Sequence, residues 1–329
     1  MGNKILSIVI PAYNVEQYIE RCLNSVVCVK ELDEIEVLVI NDGSKDHTLD
    51  LSLKYAHKYP DSVKVIDKSN GGWGTAINKG IELATGKYVK TLDSDDWFNS
   101  GDFDKFIVLL KQLDVDLVLT ALSTVNSSGE VCKTDFAESL CGKVMAIEDY
   151  LMENNSKMDA PIHSITYRTS MLKEMRFKVC DRYYADLDYI ITPLLHVNTV
   201  YLSRLNIYQY YVGRPGQSIS IEGYNAHLDD YLAVCDKAIS FWKENNSKFS
   251  IHLRKFMFTS TCERVIWAYK LLLKPIYSGK CPDSKAKLDW LESLVKSDKL
   301  LYTETNKVMV RKIIPWLYIW RKTRINIFR

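Results

Sequence analysis

Five short β-branched or apolar runs fall within the first 120 residues of this chain, with stretches of helical periodicity between them. Few architectures accept that order. The runs are Ile5–Ile10, Glu36–Ile40, Val63–Ile66, Tyr88–Leu92 and Asp116–Thr120. Nearly continuous apolar character marks strands buried on both faces, as in parallel sheets. Between them, Ile19, Cys22, Leu23 and Val26 share one helix face, and Phe103, Phe106, Ile107 and Leu110 share another. Ile77, Ile81 and Ala84 mark a shorter helix before Gly86. A βαβα order of this kind implies an α/β fold, an open and mainly parallel sheet flanked by helices on both faces.

After Thr120 the pattern loosens into short strands, loops and one or two helices up to about residue 215. Helical spacing then returns, with Leu228, Leu232, Cys235, Ile239 and Trp242 on one face and Leu288, Leu291, Leu294 and Val295 on another. A Gly- and Ser-containing stretch, Gly213–Gly223, separates the two parts. The expected organisation is a sheet domain over residues 1–220 and a smaller helical C-terminal region over 221–329.

Lys and Arg total 43 against 41 Asp and Glu, so no global charge draws the chain to nucleic acid. The eight cysteines form no C-x-x-C pair, which disfavours zinc ribbons and thioredoxin-like motifs and leaves reduced, mostly buried thiols as the expectation. The apolar run after Lys4 ends at Pro11, too short for a signal-peptide core, and no segment is long and apolar enough to span a bilayer. A cytoplasmic location is therefore expected.

In an open parallel sheet, ligands bind beyond the carboxyl ends of the strands. Four successive strand ends here are polar: Pro11-Ala12-Tyr13-Asn14, Asn41-Asp42-Gly43-Ser44, Lys68-Ser69-Asn70-Gly71-Gly72 and Asp93-Ser94-Asp95-Asp96. Together, on one edge, they define a site. Three carboxylates within Asp93–Asp96 repel one another unless a cation neutralises them, and oxygen ligands suit Mg²⁺ or Mn²⁺. The competing structural role is a solvated acidic turn capping the helix that contains Phe103. Asp42, just past a buried strand, suits the N3–H of uracil or thymine, or else serves its Asp-Gly-Ser turn. Asn14, with Gln17 three residues on, can cap the next helix. Asn70-Gly71-Gly72 lets backbone approach a ligand closely, or is an ordinary loop.

Absent motifs narrow the field. No G-x-G-x-x-G follows the first strand, and no phosphate loop of the G-x-x-x-x-G-K-[ST] kind occurs. Gly71-Gly72-Trp73-Gly74-Thr75 looks like the glycine-rich motif of sugar nucleotidyltransferases, but it follows the third predicted strand rather than the first.

In order and spacing these segments resemble the family 2 glycosyltransferases, which have the GT-A fold. The residues that match are Ser7–Asn14, Val39–Ser44, Asn70-Gly71-Gly72 with Ala76, Asn78 and Gly80, and Ala84–Tyr88 running into Leu92–Asp96. The resemblance implies an inverting transfer of sugar from a nucleotide-diphospho-sugar, a UDP-sugar on this pattern, to a hydroxyl acceptor. It implies that Tyr13, Asn14 and Asp42 line the nucleoside pocket, that Asp93 meets ribose or sugar, that Pro11, Asn70, Gly71 and Ser94 also bind the nucleotide-sugar, and that Asp95 binds the metal, Mg²⁺ or Mn²⁺. The family's carboxylate base maps to Asp186, with Ala185 where a Glu is usual and Asp188 as fallback. Arg214, in Gly213–Ser218, maps to a mobile loop that closes on the diphosphate. Ile77 departs from the family, where many relatives have an Arg that touches the nucleotide. His163 could face the acceptor or the metal, but as a lone histidine between apolar residues it is left outside the expected site as structural. The implied partners are the donor and a glycan or lipid-linked acceptor, as in bacterial surface-polysaccharide or glycolipid assembly. The alternatives are a sugar-nucleotide-binding protein without turnover, or a nucleotidyltransferase on a related fold.

The last 23 residues, 307–329, hold seven basic residues and no acid, interleaved with Trp316, Tyr318 and Trp320. Such a tail suits an anionic membrane surface, at the inner face of the cell membrane, or else forms a final helix packed on the core with its charges solvated.

Overall fold

The computed structural model describes residues 4–158, 160–213, 221–273, 283–311 and 320–323. Two compact units emerge, Met1–Arg214 and Pro215–Arg329. The first contains a ten-stranded mixed sheet, with β1 (Leu6–Ala12), β2 (Ile35–Asn41), β3 (Val63–Asp67) and β4 (Tyr88–Thr91) at one side in the order β3-β2-β1-β4. These four are parallel, with Leu6 opposite Ile35 and Tyr88, and Val37 opposite Val63. Their carboxyl ends therefore share one edge, as the sequence pattern predicts.

The sheet continues through the fifth predicted run, which falls in β6 (Leu117–Asn126), and through strands that no periodicity announced. β9 (Ile165–Arg168) runs antiparallel between β4 and β6, and β10 (Thr199–Val212) lies parallel to β6. The two-residue β5 (Trp97–Phe98), just after the acidic cluster, pairs antiparallel with β10 at Tyr208 and Gln209. The sheet is thus parallel where the chain alternates strand and helix, and mixed where it does not. β7 (Val131–Thr134) and β8 (Val144–Ala146) flank β6 and β10.

Alternate residues of the parallel strands serve two cores. Leu6, Ile8, Ile10, Val37 and Val39 pack with Ile19, Cys22, Leu23 and Val26 of α1 (Ile19–Val27) and Phe103, Phe106, Ile107 and Leu110 of α4 (Ser100–Gln112). Each of those eight helix residues is fully buried, so the predicted faces hold. On the opposite face Val9 meets α3 (Trp73–Leu83), and a Cβ at Gly80 would lie 2.2 Å from Val9 Cγ1. Helices cover both faces.

At the amino ends of these strands, away from the polar loops, Glu36 is buried and gathers donors from two neighbours. Ser7 Oγ donates to its Oε1 at 2.6 Å, Thr85 Oγ1 at 2.9 Å, and the Thr85 amide also donates. Gly86 is required there because a Cβ would come within 2.6 Å of the Ser7 backbone nitrogen. Burial pushes the Glu36 carboxyl up, but the hydrogen bonds from Ser7 and Thr85 and the charge of Lys64 outweigh it and hold the group below its ordinary value. A depressed folded value stabilises the protein above the unfolded glutamate value of about 4.3 and loses that contribution as pH falls through the folded value. Glu36→Gln keeps the shape and removes the charge. Its expected cost is about 1–2 kcal/mol at neutral pH, shrinking toward zero in acid. Urea unfolding of both proteins across pH 3–7 checks this, and a gap independent of pH would refute it.

The second unit is helical, with helices at Leu228–Asn245, Ile251–Leu273, Ser284–Lys296 and Lys299–Arg311 among its described residues. Leu228, Leu232, Cys235, Ile239 and Trp242 are buried, as are Leu288, Leu291 and Val295. In the basic tail, Trp320 is buried and Arg321 pairs with the buried Glu292 at 3.0 Å, so these two residues pack inward. The rest of the tail beyond Arg311 lies outside the described residues, apart from Lys322 and Thr323. Of the seven described cysteines, three are buried, two half-buried and two exposed, fewer buried than the composition suggested. Among the described residues no helix is long and apolar enough to cross a membrane.

Candidate functional site

The first two polar loops are stitched together. Asn14 adopts a left-handed backbone (φ 51), and its Oδ1 accepts from the Lys45 amide at 2.8 Å while its own amide donates to Ser44 Oγ at 3.1 Å. Asn tolerates this conformation better than most residues. The expected alternative, a cap on the next helix, is not formed: α1 starts beyond Tyr18 with no side-chain cap bond. Tyr13 stands about half exposed (49%) beside it, offering a ring to the solvent side of the edge. Pro11 remains within β1.

Asp42 is nearly inaccessible and seats the third loop. Its Oδ1 accepts from Gly71 N–H at 3.0 Å and from Lys68 Nζ, and its Oδ2 accepts from Gly72 N–H at 2.8 Å. Asn70 Nδ2 donates to the Asp42 carbonyl at 2.9 Å. A carboxylate has about four acceptor positions, so three donors leave room for one more. Gly72 has φ 85, and any Cβ there would strike the Asp181 carboxylate. Trp73, which opens α3, donates its indole N–H to Asp93 Oδ1 at 3.1 Å. The glycine-rich segment that looked out of place thus connects Asp42 to the acidic cluster.

That cluster is neither solvated nor a helix cap. Ser94, Asp95 and Asp96 are buried, and the cap of α4 is Asn99, whose side chain accepts from the Asp102 amide. β10 holds the loop in place. The Asp93 amide donates to the Tyr208 hydroxyl at 3.0 Å, and that hydroxyl donates to Asp96 Oδ2 at 2.8 Å. The Tyr211 amide donates to Asp96 Oδ1 at 2.7 Å. Burial pushes the Asp96 carboxyl well up, and the charges of Asp93 and Asp95 add to it against these two hydrogen bonds. Arg21 closes the outer side, donating to the Asp95 carbonyl at 2.7 Å with its guanidinium 3.9 Å from the Trp97 ring centre and 4.9 Å from that of Tyr211.

His163 lies beside the acidic cluster. It sits on the turn before β9, and its Nε2 lies 3.6 Å from Asp93 Oδ2. Its ring stacks on Tyr210 at 4.3 Å, and its carbonyl accepts from the buried Lys90 at 2.7 Å. Asp93, Asp96 and His163 bring ligand atoms within 4.8 Å of one another, a group that could hold a metal ion. Two carboxylate oxygens and an imidazole suit a divalent first-row ion. Asp95, the ligand expected from the sequence, is not in this group. A lone histidine between isoleucines gives no signal in the sequence; only the antiparallel insertion of β9 delivers it.

The helix α7 begins at Asp186 (Asp186–Ile191), which is half-buried. Burial first, then Asp96, Asp93, Asp95 and Asp186, push the Tyr210 hydroxyl up to about 12. Tyr210 thus feels the charge of both the acidic cluster and Asp186. Asp188 does other work: its carboxylate accepts from Thr192 Oγ1 at 2.6 Å and from the Cys180 amide at 3.3 Å. Ala185 is buried and presents no polar group. Asn78 exchanges two 2.8 Å hydrogen bonds with the Val179 backbone, pinning the segment that leads to Asp186 onto α3. Ile77 is fully buried, so this position serves the core. Arg214 lies outside the described residues.

The family model described as Glycosyl transferase family 2 matches residues 7–177, just over half of the chain. The poly(ribitol-phosphate) beta-glucosyltransferase of Bacillus spizizenii is 29% identical over 247 residues, 70% of this chain and 36% of that protein. The crystal structure of S. aureus TarS 1–349 with UDP-GlcNAc superposes with a TM-score of 0.68 at 18% identity, covering 97% of this chain and 87% of that one. The mannosyltransferase PcManGT from Pyrobaculum calidifontis, in complex with GDP-Man and Mn²⁺, gives a TM-score of 0.52 at 16% identity over 93% of this chain and 84% of that one. These structural likenesses establish the GT-A fold.

Proposed function

This chain belongs to glycosyl transferase family 2, and on that premise we propose that it is an inverting glycosyltransferase that moves a sugar from a UDP-sugar to an acceptor hydroxyl. The observation that carries the proposal is the set of polar strand ends on one sheet edge, where Asp42 seats the glycine loop and Trp73 ties that loop to Asp93. The base of the donor rests on Tyr13, and its N3–H reaches the acceptor position that Asp42 has left. Asn14, Asn70 and Gly71 shape the pocket around it, and Pro11 ends the strand beneath. Asp93 and Ser94 face ribose and sugar. A UDP donor agrees with the UDP-GlcNAc bound by TarS.

In the reaction Asp186 takes the proton of the acceptor hydroxyl. That oxygen forms a bond to the anomeric carbon from the side opposite the diphosphate. The bond from that carbon to the phosphate oxygen breaks, and UDP leaves with the electron pair. Attack and departure on opposite faces invert the configuration. A divalent cation held by Asp93, Asp96 and His163 would offset the charge of the departing diphosphate. The imidazole favours a transition ion such as Mn²⁺ over Mg²⁺, and PcManGT was crystallised with Mn²⁺. Arg214 is assigned to the same diphosphate. The acceptor class we assign is a surface polysaccharide or glycolipid on the cytoplasmic side, in keeping with the polymer that the Bacillus spizizenii relative is named for.

The test is release of nucleoside diphosphate from a panel of UDP-, GDP- and dTDP-sugars, with Mn²⁺ and with EDTA, in the presence of pooled glycan acceptors. Metal-dependent UDP release coupled to a new glycoside of inverted configuration is the expected result. Retained configuration, or formation of a nucleotide sugar from sugar phosphate, would overturn it.

A further inference from the structure

We infer that the first unit carries a second anion site, which takes a phosphate ester with an apolar body, in a cleft between the end of β3, the outer face of α3 and residues 172–178. This goes beyond the transfer reaction and does not depend on it. The cleft has a volume of about 800 Å³, within the range of small-molecule sites. Five cations line it, Lys68, Lys79, Lys173, Arg176 and Lys178, against two carboxylates, Asp67 and Glu82. That imbalance sets the sign of the ligand. The lining also includes Ile66, Ile81, Leu172 and Phe177, the last three of them buried, so the floor is apolar.

The cations are not equivalent. Lys79 is matched by Glu82 at 2.9 Å. Lys173 closes the C-terminus of α3, donating to the Glu82 and Ala84 carbonyls at 3.1 and 2.7 Å, which leaves it one further N–H. Lys68 is held by Asp42, the Ser69 carbonyl and Thr75 Oγ1. Arg176 and Lys178 have no side-chain hydrogen bond or ion pair among the described residues, and both are exposed. Asp67 is engaged by Asn41 Nδ2 at 2.7 Å. Two uncommitted cations, one of them a guanidinium suited to phosphate, therefore stand over an apolar floor. A bare inorganic anion would use only the rim, and a neutral apolar ligand only the floor. A phosphate ester uses both.

The experiment is calorimetric titration of the full chain, in EDTA, with hexyl phosphate, inorganic phosphate and glucose 1-phosphate. Hexyl phosphate is expected to bind at least about tenfold more tightly than the other two, since its methylenes cover the floor. Arg176→Gln/Lys178→Gln should weaken hexyl phosphate at least about tenfold, with the thermal melting midpoint unchanged because both residues are exposed. Asp93→Ala, which alters the donor site, should leave hexyl phosphate affinity as in the native protein. Equal affinity for all three ligands, no effect of the double substitution, or loss of binding in Asp93→Ala would each overturn the assignment. The last would place the anion in the donor site.

Discussion

Asp186→Asn is expected to lower turnover about a thousandfold and to leave UDP affinity within about twofold of native. Asparagine keeps the size of the side chain and loses only its basicity. The acceptor hydroxyl then has no carboxylate to receive its proton in the transition state. UDP affinity should survive because the groups assigned to the nucleotide belong to other elements: the ends of β1, β2 and β4 and the loop seated by Asp42. The neighbouring acid is the internal control. Asp188→Asn removes a carboxylate that is already bonded to Thr192 and Cys180, so it should lower stability by about 1–3 kcal/mol and touch turnover only through folding. Steady-state transfer, UDP calorimetry and urea unfolding on the two variants separate the roles. If Asp188→Asn loses turnover while remaining folded, and Asp186→Asn keeps more than about a tenth of native activity, the base has been placed on the wrong residue.

The sequence discloses the parallel half of the sheet because its determinants are local. An apolar run of five to seven residues followed by an amphipathic turn is written in neighbouring positions, and the observed strands Leu6–Ala12 and Ile35–Asn41 differ from expectation only at their ends. The polar strand ends follow directly from that. What lies beyond Thr120 depends on pairing between distant segments. β9 joins the sheet between β4 and β6 through partners about 50 to 80 positions away, such as Leu119 with Ile165 and Tyr88 with Arg168. His163 arrives with it, and no spacing rule links His163 to Asp93. The same holds for Tyr208, whose hydroxyl sits between the Asp93 amide and the Asp96 carboxylate. Tyr208, Tyr210 and Tyr211 carry no signal in the sequence until β10 is laid against the acidic loop. Asp42 and Asp96 show a further limit: the residue type was informative, but only the hydrogen bonds reveal how much of each carboxylate the fold itself occupies.

Asp93→Ala is expected to reduce metal-dependent transfer about a thousandfold and to abolish the stabilisation that Mn²⁺ gives the native protein. Asp93 is the member of the acidic group with room for a ligand: its side chain is 30% exposed, while Asp96 is fully buried with both oxygens already hydrogen-bonded. Its Oδ2 lies toward His163 and its Oδ1 toward the Trp73 indole, so its loss removes one ion ligand and one tie to α3. The apo protein should not suffer. Asp93 is one of the charges that push the Asp96 carboxyl up, and deleting it relieves repulsion that only a cation would otherwise relieve. The melting midpoint without metal should therefore stay near that of the native chain, the lost Trp73 bond offsetting the relieved repulsion, while any rise on adding Mn²⁺ should vanish. His163→Ala should weaken Mn²⁺ at least about tenfold, and Asp95→Ala should weaken it less than either. Titration of free Mn²⁺ by electron paramagnetic resonance ranks the three variants directly. If Asp95→Ala loses the ion while Asp93→Ala and His163→Ala keep it, the cation sits where the motif alone would put it. The approach of His163 to Asp93 would then be a feature of aromatic packing, with its ring held by Tyr208 and Tyr210.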